Sequence, residues 1–289
     1  GGDYKMKIRK LVSRFVPDRV KALRHEGQMK ELLEGDAEAM ALCMHEGAIF
    51  FANPRNKIER SLLRGKYDQT NSLLIRNLVK PGNVCFDIGA NIGVYSVMLC
   101  HAAGPTGHVH AFEPVSHIRL KLRRNVNLNG FDWVTVNDVG LGDVESELPM
   151  NQVKEGTFRA GTSSFVKNPT IQQMGDESFD VVPVSITTLD SYVERAGISR
   201  FDFAKIDVEG FEINVLRGGR QTLARHRPKI IIEYDVGRHG SQHAEFRDLF
   251  EAIGYDVYEC IPFGTRVVLK PFRFKSQPRE RNLLCLPRP

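Results

Sequence analysis

Apolar positions along this chain change period several times, and each change marks an element. Ile8, Leu11, Val12, Phe15 and Val16 fall at i, i+3, i+4, i+7 and i+8, the spacing of one helix face. Lys5, Lys7, Arg9, Lys10 and Arg14 occupy the other side, so residues 5–16 predict a basic amphipathic helix. Pro17 breaks it, and Val20, Leu23, Met29, Leu32 and Leu33 carry a second helical pattern. Residues 48–52 and 58–63 read as two short strands around Asn53-Pro54. A helix over Leu73, Leu74, Ile75, Leu78 and Val79 follows, with Thr70 or Asn71 as its cap and Pro81-Gly82 as its stop.

Strand and helix then alternate. Strands are predicted at 83–88, 108–113 and 133–139, with helices at 92–103 and 117–129 between them. Residues 146–184 break the rhythm with short alternating pieces and Gly161-Thr162-Ser163-Ser164, which predicts a hairpin insertion. The rhythm returns as helix 188–196, strand 202–206, helix 211–225, strand 229–235, helix 242–253 and strand 255–261. Val267 to Leu269 and Leu283 to Leu286 suit antiparallel additions. Repeated β-α units with right-handed crossovers give an α/β fold whose mostly parallel sheet is covered by helices. The expected organisation is an N-terminal helical extension over residues 1–45 and one α/β domain over 46–289 with the insertion inside it.

Chemistry enters at residues 84–93, Val-Cys-Phe-Asp-Ile-Gly-Ala-Asn-Ile-Gly. A buried strand, a turn with glycines and the start of a helix place a nucleotide-like ligand at the mouth of a parallel sheet. Glycine permits close approach of the backbone. A dinucleotide site uses three glycines as G-x-G-x-x-G, with pyrophosphate on the helix N-terminus. This chain has D-x-G-x-x-x-G. Asp87 would repel a pyrophosphate and attract a cation, and S-adenosylmethionine carries a sulfonium and an ammonium with no phosphate. Glu113 stands 20 residues beyond Gly93, where an acid can accept both ribose hydroxyls. Asp87, Gly89, Asn91, Gly93 and Glu113 are therefore the expected cofactor residues. Asp138, near the end of the third strand, is the candidate for the adenine amino group.

Further segments come in a telling order. Leu189-Asp190-Ser191-Tyr192, Lys205-Ile206-Asp207-Val208-Glu209-Gly210-Phe211-Glu212-Ile213, Leu216-Arg217-Gly218-Gly219 and Ile230-Ile231-Ile232-Glu233 follow one another. With Asp87 to Gly93 and Phe112-Glu113-Pro114, they closely resemble the FkbM family of S-adenosylmethionine-dependent methyltransferases over roughly residues 65–260. The resemblance implies a Rossmann-like class I methyltransferase fold, a seven-stranded sheet with an antiparallel strand. It also implies O-methylation of a hydroxyl on a small molecule, sugar or natural product. Two rivals remain: a nicotinamide-dependent oxidoreductase, disfavoured by the missing third glycine and by Asp87, and a non-catalytic cofactor-binding scaffold.

Methyl transfer to a hydroxyl needs in-line positioning and a group to take the proton. Acids at the carboxyl ends of the strands are the candidates: Asp207 and Glu209 after the fourth strand, Glu233 and Asp235 after the fifth. Glu209 can equally cap the following helix. Asp207 with Glu233 or Asp235 could instead hold a divalent cation, a reading not favoured. His239 and His243, beside Gly237 and Gly240, are alternative bases, although solvated loop histidines suit them as well. Tyr67 and the segment from Gly161 to Phe165 are candidate walls of the site.

Composition bounds the rest. The 289 residues are 42% hydrophobic and 26% charged, ordinary for a globular chain. No apolar run approaches the roughly 20 residues a spanning helix needs. The five cysteines form no C-x-x-C pair, which fits buried thiols in a reducing cytoplasm. His108 and His110 lack a third partner for zinc. The net charge of +5 is uneven. Residues 1–25 hold eight Lys/Arg against two Asp, and residues 270–289 hold six against one acid, so the 244 residues between are acidic by six. An acidic middle argues against a nucleic-acid groove. The basic N-terminal helix leaves peripheral membrane contact or a homo-oligomer open.

Overall fold

The computed structural model describes residues 41–289, apart from 55, 66, 154–178, 236–238, 240, 241, 275–277, 279 and 280. The expected basic helix at 5–16, the helical pattern after it and the wall from Gly161 to Phe165 lie outside the described residues. Residues 41–45, assigned above to a helical extension, form strand β1 (Ala41–His45), which pairs antiparallel with β2 (Ala48–Ala52). The stretch expected as a strand at 58–63 is helix α1 (Lys57–Leu63). Asn56 starts it, its Oδ1 accepting from the backbone N–H of Glu59 at 3.1 Å, and buried Leu62 and Leu63 suit either period over so short a run. Helix α2 (Gln69–Leu78) is capped by Asp68, which accepts from the N–H of Asn71, rather than by Thr70 or Asn71.

Strands β3 (Val84–Ile88), β4 (His108–Phe112) and β5 (Val134–Asn137) follow, separated by helices α3 (Val94–Ala103) and α4 (Ser116–Asn129). The short β6 (Gly140–Gly142), β7 (Ser146–Val153) and β8 (Phe179–Thr188) make a separate three-stranded sheet, with β7 antiparallel to β8 from Ser146↔Ile186 to Val153↔Phe179. Helix α5 (Leu189–Arg195) leads to β9 (Phe203–Ile206), and α6 (Glu212–Arg217) and α7 (Arg220–His226) lead to β10 (Lys229–Glu233). The single helix expected over 211–225 is thus divided at Gly218-Gly219. A Cβ on Gly218 would lie 1.9 Å from the carbonyl oxygen of Gly142, so the glycine there admits close packing against the β6 strand. Helix α8 (His243–Ala252), then β11 (Tyr255–Phe263), β12 (Arg266–Pro271) and β13 (Asn282–Pro287), complete the chain.

The large sheet runs β12-β11-β13-β10-β9-β3-β4-β5. Its five strands from β10 to β5 are parallel, β13 is antiparallel to β10, and β11 and β12 add two further antiparallel pairings. It has eight strands rather than seven, because the β11–β12 hairpin adds an outer edge. Both faces of the parallel part are covered, as a sheet of this kind requires. Phe86, Ile88, Phe112, Ile206 and Ile230 pack into one apolar cluster, and Cys85, Val109, Ala111, Phe203 and Ile231 into the other. Each fully buried large side chain contributes about 1.5–3 kcal/mol relative to exposure. All five cysteines are free and buried, and burial pushes the Cys43 thiol up to about 12. Among the described residues, no helix is long and apolar enough to cross a membrane.

Chain direction fixes where a ligand can sit. From β3 the chain proceeds to β4 and β5 on one side, then returns to β9 and β10 on the other. The order reverses between β3 and β9, and such a switch opens a crevice at the carboxyl ends of the strands.

Candidate active site

A cleft of about 900 Å³, counting its open mouth, occupies that crevice. The loop after β3 lines it with Gly89 to Ile92, the loop after β4 with Glu113 to Val115, and the turn after β9 with Asp207 to Glu209. Gly140, Leu141 and Met150 come from the small sheet, and Tyr67 and Tyr95 close the side near α2 and α3. Glu113, Asp207 and Glu209 are its carboxylates, and no Lys, Arg or His is among the described lining residues.

Gly89 is required by the backbone. It has φ +83°, and a Cβ there would sit 1.9 Å from the carbonyl oxygen of Asp207. The close approach expected at this glycine is to the end of β9, and it brings the two loops together at the switch point. Gly93 has φ +87° at the N-cap of α3, against Leu122. Asn91 has φ 51° and gives its N–H to Glu113 Oε2 at 2.9 Å.

Glu113 is the pivot of the cleft. It is 6% exposed, and its Oε1 accepts the N–H of Val115 at 2.9 Å. One carboxylate therefore ties the loop after β3 to the loop after β4. Burial pushes its pKa up to about 7, against the pull of those two amides and of Arg119. Each oxygen keeps acceptor capacity for a further donor.

Asp87 is placed differently from the expectation. It is fully buried and does not line the cleft. Its Oδ2 accepts from Ser96 Oγ at 2.5 Å, and its Oδ1 has no hydrogen-bond partner. Burial raises its pKa to about 6, opposed by Ser96 and Lys205. It lies on β3 in register with Lys205 of the adjacent strand. Asp138 stands outside the cleft with an exposed side chain; the strand ends one residue earlier, at Asn137.

The acceptor-side candidates divide by whether they line the cleft. Asp207 and Glu209 line the cleft. Glu209 holds φ 54°, uncommon for a non-glycine residue. It does not cap α6: the acid serving that turn is Glu212, which accepts the N–H of Val208 at 2.9 Å and of Gly210 at 3.0 Å. Glu233 and His239 are outside the lining. His239 is fully buried rather than solvated. Its Nδ1 accepts the N–H of Asp235 at 3.1 Å, so Nε2 carries the proton and donates to Glu212 Oε2 at 2.6 Å. With both ring nitrogens engaged, His239 braces the turn. His243 pairs through Nδ1 with the Tyr234 hydroxyl.

The pair of acids proposed for a cation does approach closely. Ligand atoms of Asp207, Glu212 and Glu233 lie within 4.8 Å of one another. Each already has a partner, however. Lys205 Nζ bonds Asp207 Oδ2 at 3.0 Å, His239 and two amides hold Glu212, and Arg281 lies 4.0 Å from Glu233 and 3.0 Å from Asp235. Lys205 is the buried cation paired with Asp207 among the described residues.

Residues 87–257, more than half of the chain, match the family described as Methyltransferase FkbM domain. The chain belongs to the FkbM methyltransferase family. It is similar to the 31-O-demethyl-FK506 methyltransferase FkbM of Streptomyces tacrolimicus, 25% identical over 159 residues that cover 48% of this chain and 60% of that one. It is also similar to the 2-O-methyltransferase NoeI of Sinorhizobium fredii, 26% identical over 179 residues, 58% of this chain and 72% of that one. Among solved structures it resembles Methyltransferase FkbM from Methylobacillus flagellatus KT, with a TM-score of 0.41, 16% identity, and coverage of 79% of this chain and 52% of that one. The chain therefore spans about three fifths of the first relative and about half of the solved one.

Beyond the candidates named above, the structure brings to the cleft Lys205 and Tyr95, both within the FkbM match, and Asp68, which precedes it. Lys205 is fully buried beneath Asp207. Its signal was a lysine inside the apolar run Phe203-Ala204-Lys205-Ile206, where an unpaired charge would be costly. Tyr95 lines the cleft and gives its hydroxyl to Asp68 Oδ2. Asp68, at φ 28°, also accepts from Asn71 Nδ2 at 2.8 Å. The last two carry no local pattern, because helix, cap and cleft meet only in the folded chain.

Proposed function

We propose that this chain transfers a methyl group from S-adenosylmethionine to a hydroxyl oxygen of a small-molecule acceptor, a sugar or natural product. The observation that carries the reading is Glu113, a buried carboxylate opening on the cleft with spare acceptor capacity where a ribose would need it. The described lining is acidic and carries no cationic side chain, which suits a cationic donor and opposes a pyrophosphate. One named relative is described as a 31-O-demethyl-FK506 methyltransferase and the other as a 2-O-methyltransferase, which supports an oxygen as acceptor.

Glu113 would hold the ribose, with Pro114, Val115, Leu141 and Met150 supplying apolar walls for the base. The methionine end would then fall to the glycine turn, Asp207 and Tyr67. When bound, the donor supplies a methyl group on a positively charged sulfur. As the acceptor oxygen forms its bond to that carbon, the carbon–sulfur bond breaks, its electron pair goes to sulfur, and the acceptor's proton must leave. Asp207 and Glu209 are the carboxylates on the cleft wall that can take it.

Calorimetry with S-adenosylmethionine, S-adenosylhomocysteine and NAD tests the assignment. Saturable binding of the first two without NAD is expected. Binding of NAD alone would overturn it.

A further inference from the structure

The side of the cleft away from Glu113 is built on carboxylates. Asp207 and Glu209 line it, and Asp87 lies beneath with an oxygen that has no hydrogen-bond partner. Glu233 ends the neighbouring strand with its carboxylate close to that of Asp207. Asp68 stands behind Tyr95. Arg281 answers Glu233 and Asp235 from the surface. The buried cation among these groups is Lys205, 0% exposed and in register with Asp87 on the adjacent strand.

Its ammonium bonds Asp207 Oδ2 at 3.0 Å and the carbonyl of Ile206 at 3.4 Å, and lies 5.2 Å from the centre of the Tyr95 ring. Burial by itself would lower its pKa, but Asp207, Glu233 and Asp68 outweigh burial and hold it above the ordinary lysine value. Lys205 is thus a fixed positive charge rather than a proton acceptor. In the proposed placement of the donor, with its methionine end at the glycine turn and Asp207, Lys205 would lie under the part where donor and product differ, a sulfonium in one and an uncharged thioether in the other.

We propose that Lys205 sets the affinity of this cleft for the methyl donor relative to its demethylated product, offsetting the pull of the surrounding carboxylates on the sulfonium. The inference rests on the S-adenosylmethionine reading of the cleft. It also has a catalytic sense. Contacts that favour the sulfonium before reaction oppose its discharge in the transition state, so a buried counter-charge limits that ground-state hold.

The test is calorimetry of the full chain with S-adenosylmethionine and S-adenosylhomocysteine, reported as the ratio of the two affinities. Lys205→Met is expected to raise the ratio in favour of the donor by roughly thirtyfold, the order for a unit charge about 8 Å away at an effective dielectric near 20. Asp207→Asn is expected to lower it by a similar factor. The double variant should return close to the wild-type ratio, and Lys205→Arg should stay within about threefold of it. A structural role alone would not move the two single variants in opposite directions. Ratios that stay fixed, or move in the same direction, overturn the proposal. If Lys205→Met does not fold, Asp207→Asn on its partly exposed side chain decides: a fall supports the proposal and an unchanged ratio overturns it. Wild-type protein that binds neither ligand would overturn the cofactor reading and this inference with it, a result distinct from binding with a fixed ratio.

Discussion

Glu113 does two things with one carboxylate. It satisfies the amides of Asn91 and Val115, and it opens on the cleft. Removing it therefore costs both binding and structure. Glu113→Ala is expected to weaken S-adenosylmethionine binding about ten- to a hundredfold, since hydrogen bonds to a charged group contribute roughly 1.5–3 kcal/mol. It should also lower the melting temperature, because two loop amides lose their acceptor. Unchanged affinity would assign the ribose to another group. The pH dependence has a definite sign. On the proposed reading, ribose hydroxyls would donate to the ionised carboxylate, whose pKa in the free protein is pushed up by burial to about 7. Affinity should be full at pH 8 and fall as pH drops through 7; a flat profile in titrations between pH 5.5 and 8 would contradict this. The place of Glu113 on the cleft was legible in the sequence because it sits at a fixed distance after a glycine turn. Asp138 falls outside the cleft because strand β5 ends at Asn137 and the next side chain turns out to solvent. The burial of His239 was not legible, because a glycine-bearing loop looks solvated until the fold brings Glu212 to it.

At the scale of elements, the alternation from residue 83 onward was legible because each strand is a short apolar run and each helix has its own period. Segments without those signals were not. Helix α1 is seven residues long, too short for period to tell helix from strand. The division of α6 from α7 depends on Gly142 lying against Gly218, a contact between segments 76 positions apart in sequence. The contact between Gly89 and Asp207 is of the same kind, and it carries a prediction. Gly89→Ala combines an unfavourable positive φ with a Cβ against a backbone carbonyl. Neither partner can shift cheaply, because Asp207 N–H also bonds the Ile88 carbonyl at 2.9 Å. A loss of more than about 2 kcal/mol is expected, read by urea unfolding. A variant as stable as wild type would show that the two loops are not locked.

The whole molecule carries its cleft at some expense in stability. Asp87 and Glu113 have pKa values raised by burial to about 6 and about 7. Between pH 4 and 7 the folded chain holds protons that the unfolded chain has released, so stability falls as pH rises through this window and levels off above it. Shifts of this size correspond to roughly 3 kcal/mol each before coupling between the two acids is counted. The melting temperature of ligand-free protein should therefore drop between pH 5 and pH 8 by more than that of a Glu113→Gln variant, and a saturating donor should narrow the difference. The cleft residues also bound what the rest of the chain contributes. Described lining residues run from Tyr67 to Glu209, so deleting residues 1–16 should leave donor affinity within about twofold. A truncation that abolishes binding would place the basic N-terminal segment in the core. Liposome pelleting and size-exclusion of the same truncation would show whether that segment meets membrane or a second copy.

Loops around a ligand site usually exchange their amide hydrogens with water quickly, since little structure protects them. Four loop amides here point at carboxylates inside the protein: Asn91 and Val115 at Glu113, Val208 and Gly210 at Glu212. They should behave as core amides in deuterium exchange before any ligand arrives. Binding of the donor should then add little further protection at these four positions, while removing either acid should make its pair exchange at the rate of an open loop. The cleft would in that case be largely formed in advance, with the ordering of its turns completed when the chain folds rather than when the donor enters.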